Sequence, residues 1–411
     1  MMGLLRLSLK IPNLSRKLKN MNYKVLLIFF FFLYSFSFSN ERVDDRYTIS
    51  VLTVSPGKDL ADAFGHSGIR VIDRELNYDI VFNFGIYDFQ APNFYSNFVK
   101  GRPIYSLGIN NYNRFLNNYK IQKRGIIEHK IQISNDKKDT LIQLLLENSK
   151  PENKFYVYDY FKDNCSTKVA DLFIENFSNE FYNSDINLSS KSNDSYRSLI
   201  YKMIPKNSWG SLGIDICLGS IIDQDINYRE TFFLPLKFGN FLDKMESENP
   251  KIIESKLLFE SPEIFKDSSF NITSPMFVLF FISLLIILVT FQDFKNNKQT
   301  KALDILLISI TTIIGLLITY LWFFSDHTAA SQNYNILWAS PFNIILFIDL
   351  LVSKKRKWIL GYLKFIFLML LLMISHWILS VQTFNITLFS FIFALLIRYL
   401  FLIYNHKKLT S

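Results

Sequence analysis

The sequence predicts an α+β domain followed by an all-α membrane bundle, and three observations predict it. Strand-like alternation and capped amphipathic helices occupy the middle of the chain, five long apolar runs fill its last third, and a basic-then-apolar segment opens it. Three parts are expected: a signal peptide over 1–39, an exported domain over 40–274 and a membrane domain with five transmembrane helices over 275–411.

The first part carries Lys10, Arg16, Lys17, Lys19 and Lys24 ahead of the run VLLIFFFFLYSFSFS, with the small residues Ser37 and Ser39 placed as for a signal peptidase. Met21 is a candidate start, and an uncleaved N-terminal anchor is the alternative reading.

In the exported part, YTISVLTVS (47–55) reads as a strand, followed by the turn signal PGKD and a short helical piece, LADAFG. Two alternating strands around a polar turn come next. Ser67, Ile69 and Val71 share one face of the first, leaving His66, Gly68 and Arg70 on the other; in the second, Asp79, Val81, Asn83 and Gly85 lie opposite Ile80, Phe82 and Phe84. A turn centred near Arg74 and Glu75 pairs His66 with Asn83. Residues 93–124 mix helical and extended signals, and 134–150 form a capped amphipathic helix. In YDYFKDNCSTKVADLF, Val169, Leu172, Phe173 and Phe177 recur at helical spacing with Cys165 one turn earlier on the same inward stripe. With Asp163 or Asn164 as N-cap, the thiol sits at the positive end of the helix dipole, where thiols ionise readily. The segment 183–199 is polar and loop-like.

The five apolar runs, near 275–291, 302–324, 336–352, 359–380 and 386–404, each approach bilayer-spanning length. The segments 293–301, 353–358 and 406–411 are basic, whereas 325–335 and 381–385 hold no Lys or Arg. The positive-inside rule then puts 40–274 outside the cytoplasm and the C-terminus inside, the placement the signal peptide also demands. Asp304, Asp349, Lys364 and Arg398 fall toward the cytoplasmic ends, where pairing or snorkelling accounts for them; His327 and His376 map to the outer face.

Apportioned along the chain, the net charge of +9 loses its usual meaning. Residues 1–39 hold 6 Lys and Arg with no acid, and 275–411 hold 11 with 4 acids, which leaves 28 bases against 32 acids, a net of −4, in 40–274. The basic excess belongs to targeting and topology, and nucleic acid is excluded as a partner.

Cys165, His66 and Asn83 form the set with chemical potential: a thiol nucleophile needs a base within reach, and the base needs a third group to orient it. The competing reading of two cysteines in an exported domain is a Cys165–Cys217 disulfide in an inert module, while Cys217, in GIDICLGS, could also be a small buried hydrophobe.

The blocks FGHSGIRV, VFNFGIYDF, NFYSNFVKGRPIYSL and YDYFKDNCSTKVADL, in this order, together with DHTAASQNYNILWASPFNI in the membrane part, resemble the Lnb-type lipoprotein N-acyltransferase family. The resemblance covers nearly the whole mature chain. It implies a circularly permuted papain-like (NlpC/P60-type) domain in which His precedes Cys, an order shared by thiol acyltransferases that draw acyl chains from phospholipids. By position it makes Cys165 the nucleophile, His66 the base and Asn83 the third polar residue, where related permuted enzymes often carry a second histidine. The implied reaction passes an acyl chain from a membrane phospholipid through a Cys thioester to the α-amine of a diacylglyceryl-cysteine lipoprotein, at the inner membrane, with no cofactor and no metal. A cell-wall amidopeptidase and a non-catalytic membrane-anchored binding module are the alternatives.

Overall fold

The computed structural model describes residues 46–181, 187–261, 271–352 and 356–410. The expected signal peptide lies outside the described residues, as do positions 353–355 of the basic segment 353–358. The strands are β1 (Tyr47–Val54), β2 (His66–Asp73), β3 (Tyr78–Ile86), β4 (Ile104–Asn111), β5 (Ile126–Ile131), β6 (Phe155–Val157), β7 (Lys191–Ser195), β8 (Asp225–Asn227) and β9 (Ile253–Phe259). Seven of them make one antiparallel sheet in the order β6-β4-β3-β2-β1-β5-β9, and β7 and β8 pair separately. The helices of this part are α1 (Phe94–Val99), α2 (Tyr112–Ile121), α3 (Asn135–Ser149), α4 (Cys165–Phe181), α5 (Tyr196–Met203), α6 (Trp209–Cys217) and α7 (Pro235–Glu248).

Alternation along the strands sorts the sheet into two faces. Ile49, Val51, Ile69, Val71, Phe82 and Phe84 are buried against α3, α4 and α7 through Leu141, Val169, Phe173, Phe238 and their neighbours. Each such side chain contributes about 1.5–3 kcal/mol relative to exposure. On the other face Leu52, Val54 and Val81 lie under Tyr112, Phe115 and Tyr119 of α2. There Arg70 pairs with Asp79 and Glu128 and lies 3.4 Å above the Tyr112 ring. The class is therefore α+β with a helical membrane region, and the papain-like core is a cysteine-bearing helix packed on an antiparallel sheet that carries the histidine.

Three local readings change. LADAFG forms successive hydrogen-bonded turns, Asp62 N–H to Asp59 and Gly65 N–H to Asp62, without a helix. Residues 93–124 resolve into α1, β4 and α2, and the loop-like stretch holds β7. The β2–β3 register runs from Ile69 opposite Phe82 to Asp73 opposite Tyr78, two residues beyond the expected pairing. A shift of two keeps every side chain on its face, so His66 and Asn83 remain neighbours, now on a diagonal across Gly68.

Beyond the sheet come α8 (Pro275–Lys295), α9 (Lys301–Phe323), α10 (Ile344–Leu351), α11 (Trp358–Ile378) and α12 (Phe389–Thr410). Among the described residues four helical segments, Pro275–Lys295, Lys301–Phe323, Trp358–Ile378 and Ile386–Lys408, are long and apolar enough to cross a membrane. The run at 336–352 belongs to a pair of segments, Thr328–Leu337 and Pro341–Leu351, bent by 47°. Such broken backbone is tolerated at membrane depth only where protein covers it, and Trp338, Ala339 and Leu346 are buried among the surrounding helices. Gly315 of α9 permits the contact, since a Cβ there would lie 2.2 Å from the Ala339 carbonyl oxygen.

The sheet region is seated on the membrane region through α6. Leu212 joins the membrane core, and Asn335 and Asn333 donate to the carbonyls of Asp215 and Ile216 at 2.8 Å each. Asp215 is itself fully buried, bound by Arg197 at 2.6 Å, by the Tyr201 hydroxyl at 2.7 Å and by Asn385 at 2.7 Å. At the opposite end of the bundle Arg398 is buried between Asp304 at 2.6 Å and Asp293 at 2.8 Å.

Candidate active site

Cys165 is the first residue of α4, and Asn164 caps that helix: its side-chain oxygen accepts from the N–H of Ser166 at 2.8 Å and of Thr167 at 3.0 Å. Thr167 returns the bond, accepting from Asn164 N–H at 2.8 Å. The Asn164 amide also donates to the carbonyls of Tyr160 and Phe233, which ties the helix start to the loop before it and to the chain ahead of α7. Val169, Ala170, Phe173 and Phe177 bury one stripe of α4 on the sheet, and the same stripe turns Cys165, 8% exposed, toward the first residues of β2.

There the thiol lies beside His66, near enough for the two side chains to interact electrostatically, with the backbone N–H groups of Ser67 and Ser166 also near the sulfur. The Nε2 of His66 donates to Asn83 Oδ1 at 2.5 Å, which leaves Nδ1 for the sulfur. Asn83 in turn donates its amide to Asn110 Oδ1 at 3.2 Å, so its oxygen is the atom that faces the imidazole. Tyr119 lies against the ring of His66 with centroids 6.1 Å apart, and the Arg124 guanidinium lies 4.9 Å from the centre of the Tyr119 ring.

Burial opposes both charges, yet the pair overcomes it. The His66 pKa is raised above its ordinary value by the Cys165 sulfur, through charge and then hydrogen bond, with Asn83 adding to the effect. The Cys165 pKa is lowered by the imidazole first and by the Ser67 and Ser166 N–H groups after it. A thiolate–imidazolium pair is the state these interactions favour.

A bulge shapes the other wall. Between Asn83 opposite Gly108 and Ile86 opposite Ser106, β3 has one residue more than β4, and Gly85 takes φ +86° there. A Cβ on Gly85 would stand 3.4 Å from Cys165 Cβ, 3.6 Å from the Tyr158 ring and 3.9 Å from the Tyr156 hydroxyl. The backbone thus passes close to the thiol with no side chain in between.

All three residues singled out in the sequence, Cys165, His66 and Asn83, are brought together. Asn110, Gly85, Tyr119 and Tyr158 were not singled out, although they touch the same cluster. Cys217 is a second free thiol, on α6, and burial pushes its pKa up; with Cys165 also free, the stapled arrangement is absent. His327 contacts α1, and His376 lies beside Tyr334 in the membrane part. Among the described residues no cluster of His, Cys, Asp and Glu could hold a metal ion.

Residues 38–201 match the family model described as the Lnb N-terminal periplasmic domain, and residues 266–409 match the one described as the Lnb transmembrane domain. No curated protein and no solved structure matches the chain.

Proposed function

The chain belongs to the Lnb family, and from that premise we propose that it is a lipoprotein N-acyltransferase working through an acyl-Cys165 thioester. Family membership supports an acyltransferase role in lipoprotein maturation at the inner membrane. The observation that carries it is the Cys165 thiol at a helix N-terminus, beside an imidazole that Asn83 holds, in a chain with helices long and apolar enough to cross a membrane.

In the first half-reaction the thiol proton resides on His66 and the Cys165 sulfur attacks an ester carbonyl of a phospholipid in the outer leaflet. The C–S bond forms, the C–O bond breaks, and His66 returns the proton to the departing lysophospholipid alkoxide. In the second, the free α-amine of a diacylglyceryl-cysteine attacks the thioester carbon. The sulfur leaves as thiolate, and the proton lost by nitrogen restores the imidazolium. Asn83 accepts from His66 and fixes its orientation; an amide there orients but relays no proton. The backbone N–H of Cys165, at the positive end of α4, is one donor to the tetrahedral oxygen. Both substrates are confined to one leaflet, so anchoring the site there raises their effective concentration. The basic segments 293–301, 353–358 and 406–411 favour a cytoplasmic C-terminus, with the sheet region in the periplasm.

The deciding experiment is mass spectrometry of a lipoprotein's N-terminal peptide from cells carrying wild type, Cys165→Ala, Cys217→Ala or no copy of the gene. The amide-linked chain is expected with wild type and Cys217→Ala and absent from the other two. Wild-type acylation by Cys165→Ala would refute the proposal.

A further inference from the structure

Building on that reading, we propose that a row of rings leading away from Cys165 holds the transferred acyl chain, forming a hydrocarbon track that begins at the sulfur and opens at the membrane surface. The Tyr158 ring borders the gap between Gly85 and Cys165. From there Tyr158 stacks on Tyr105 with centroids 4.2 Å apart, Tyr105 meets Tyr87 at 5.3 Å, and Tyr87 meets Phe94 at 6.4 Å. Phe94 lies 6.4 Å from Phe98, whose ring meets that of His327 at 6.3 Å.

The far end of this row lies next to the end of α9, a helix long and apolar enough to cross a membrane. His327 follows α9 by a few residues, just beyond Phe323 and Phe324, which are 59% and 71% exposed. The helix that carries Phe94 and Phe98 is pinned to this point. Asp326 N–H donates to the Lys100 carbonyl at 2.9 Å, His327 Nε2 donates to the Phe98 carbonyl at 2.9 Å, and Arg102 pairs with Asp326. A side chain at Gly101 would abolish the contact, since its Cβ would lie 2.6 Å from His327 N.

Phe94 and Tyr105 are buried, at 7% and 9% exposure, and Tyr158 is half-buried, while Tyr87 at 42% and Phe98 at 38% leave the row open along one side. Apolar surface left open beside a membrane-facing contact is suited to hydrocarbon. The occupant is the chain of the glycerophospholipid donor. Only the acyl group whose carbonyl sits on the sulfur needs a groove that ends at the sulfur, whereas the acceptor has to present only its amine, with its own chains left in the bilayer. The groups behind the imidazole, Asn83 and Asn110, are polar and offer a hydrocarbon nothing.

The test follows the acylation half-reaction alone, with full-length protein in nanodiscs and monomeric short-chain diacylphosphatidylcholines, reading acyl-Cys165 by intact mass. Wild type is expected to gain roughly tenfold in acylation rate for every two methylenes added to the donor chain. In Tyr87→Ser/Phe98→Ser that gain shrinks to about threefold or less, while iodoacetamide still alkylates Cys165 at the wild-type rate. A variant that keeps the full chain-length dependence overturns the track and leaves the proposed function standing. If wild type forms no acyl-Cys165 from any donor, the proposed function itself falls, and the track with it.

Discussion

At the scale of single residues, the pairing of Cys165 with His66 makes the thiol's reactivity a matter of pH. The folded Cys165 pKa is lowered, so the thiolate persists below the ordinary thiol value and is lost only as pH falls through the lowered value; the folded His66 pKa is raised, so the imidazolium persists above the ordinary imidazole value. Alkylation of Cys165 is expected to stay fast below the ordinary thiol value and to slow only as pH falls through the lowered one. In His66→Ala the largest of the interactions that offset burial is lost and only the Ser67 and Ser166 N–H groups remain, so the midpoint should rise and the rate at pH 7 should fall at least about tenfold. An unchanged pH profile in that variant would show that the imidazole does not govern the sulfur. Asn83→Ala removes one hydrogen bond to a group that becomes charged, for which a loss of about 1.5–3 kcal/mol in transfer rate is expected, checked by steady-state kinetics. Cys165 and His66 were legible because a helix start and a strand start can each be read from local pattern. Asn83 was legible because strand parity survives a register error of two. Asn110 was hidden: it lies on β4, inside a stretch of mixed signals, and no spacing rule in one strand names its partner in the next.

At the scale of elements, the helix start and the bulge do the positioning. Asn164→Ala removes a cap and also leaves the Tyr160 and Phe233 carbonyls without their amide, so a loss of at least about 1 kcal/mol is expected by thermal or denaturant unfolding. Gly85→Ala asks an L-residue to hold φ +86°, at about 1–2 kcal/mol, and sets a methyl 3.4 Å from Cys165 Cβ. Stability should fall modestly and acyl transfer far more; equal, small effects on both would mean that the backbone need not approach the sulfur. The α4 stripe and the β2–β3 hairpin could be read because each buries a regular set of apolar positions. The bulge could not, since in sequence Gly85 is indistinguishable from an ordinary strand glycine. LADAFG fails as a helix because Gly65, at φ +84°, closes it after hydrogen-bonded turns.

At the scale of the whole molecule, the seat between sheet and membrane is a buried ion pair extended by amides. Asp215→Ala leaves Arg197 with its charge still held by Asp223 but deprives it of its closest partner, and deprives Tyr201 and Asn385 of theirs. A loss of about 3–5 kcal/mol is expected, read as earlier thermal unfolding and faster proteolysis within residues 200–230. Replacing Arg197 and Asp215 together by Met and Leu should recover part of it. Loop charge gave the run-by-run membrane reading its orientation, but the bend in the third run falls at the break before Pro341, where Ala339 packs on Gly315, and no hydropathy window registers either. The guanidinium of Arg398 has a consequence for biogenesis. Asp293 and Asp304 are made early, on the first two membrane helices, while the one cation that joins them arrives on the last. A chain cut off before α12 would leave these two carboxylates, at neighbouring ends of α8 and α9, without the guanidinium that joins them, so those ends are expected to be locked together only once the last helix has been made.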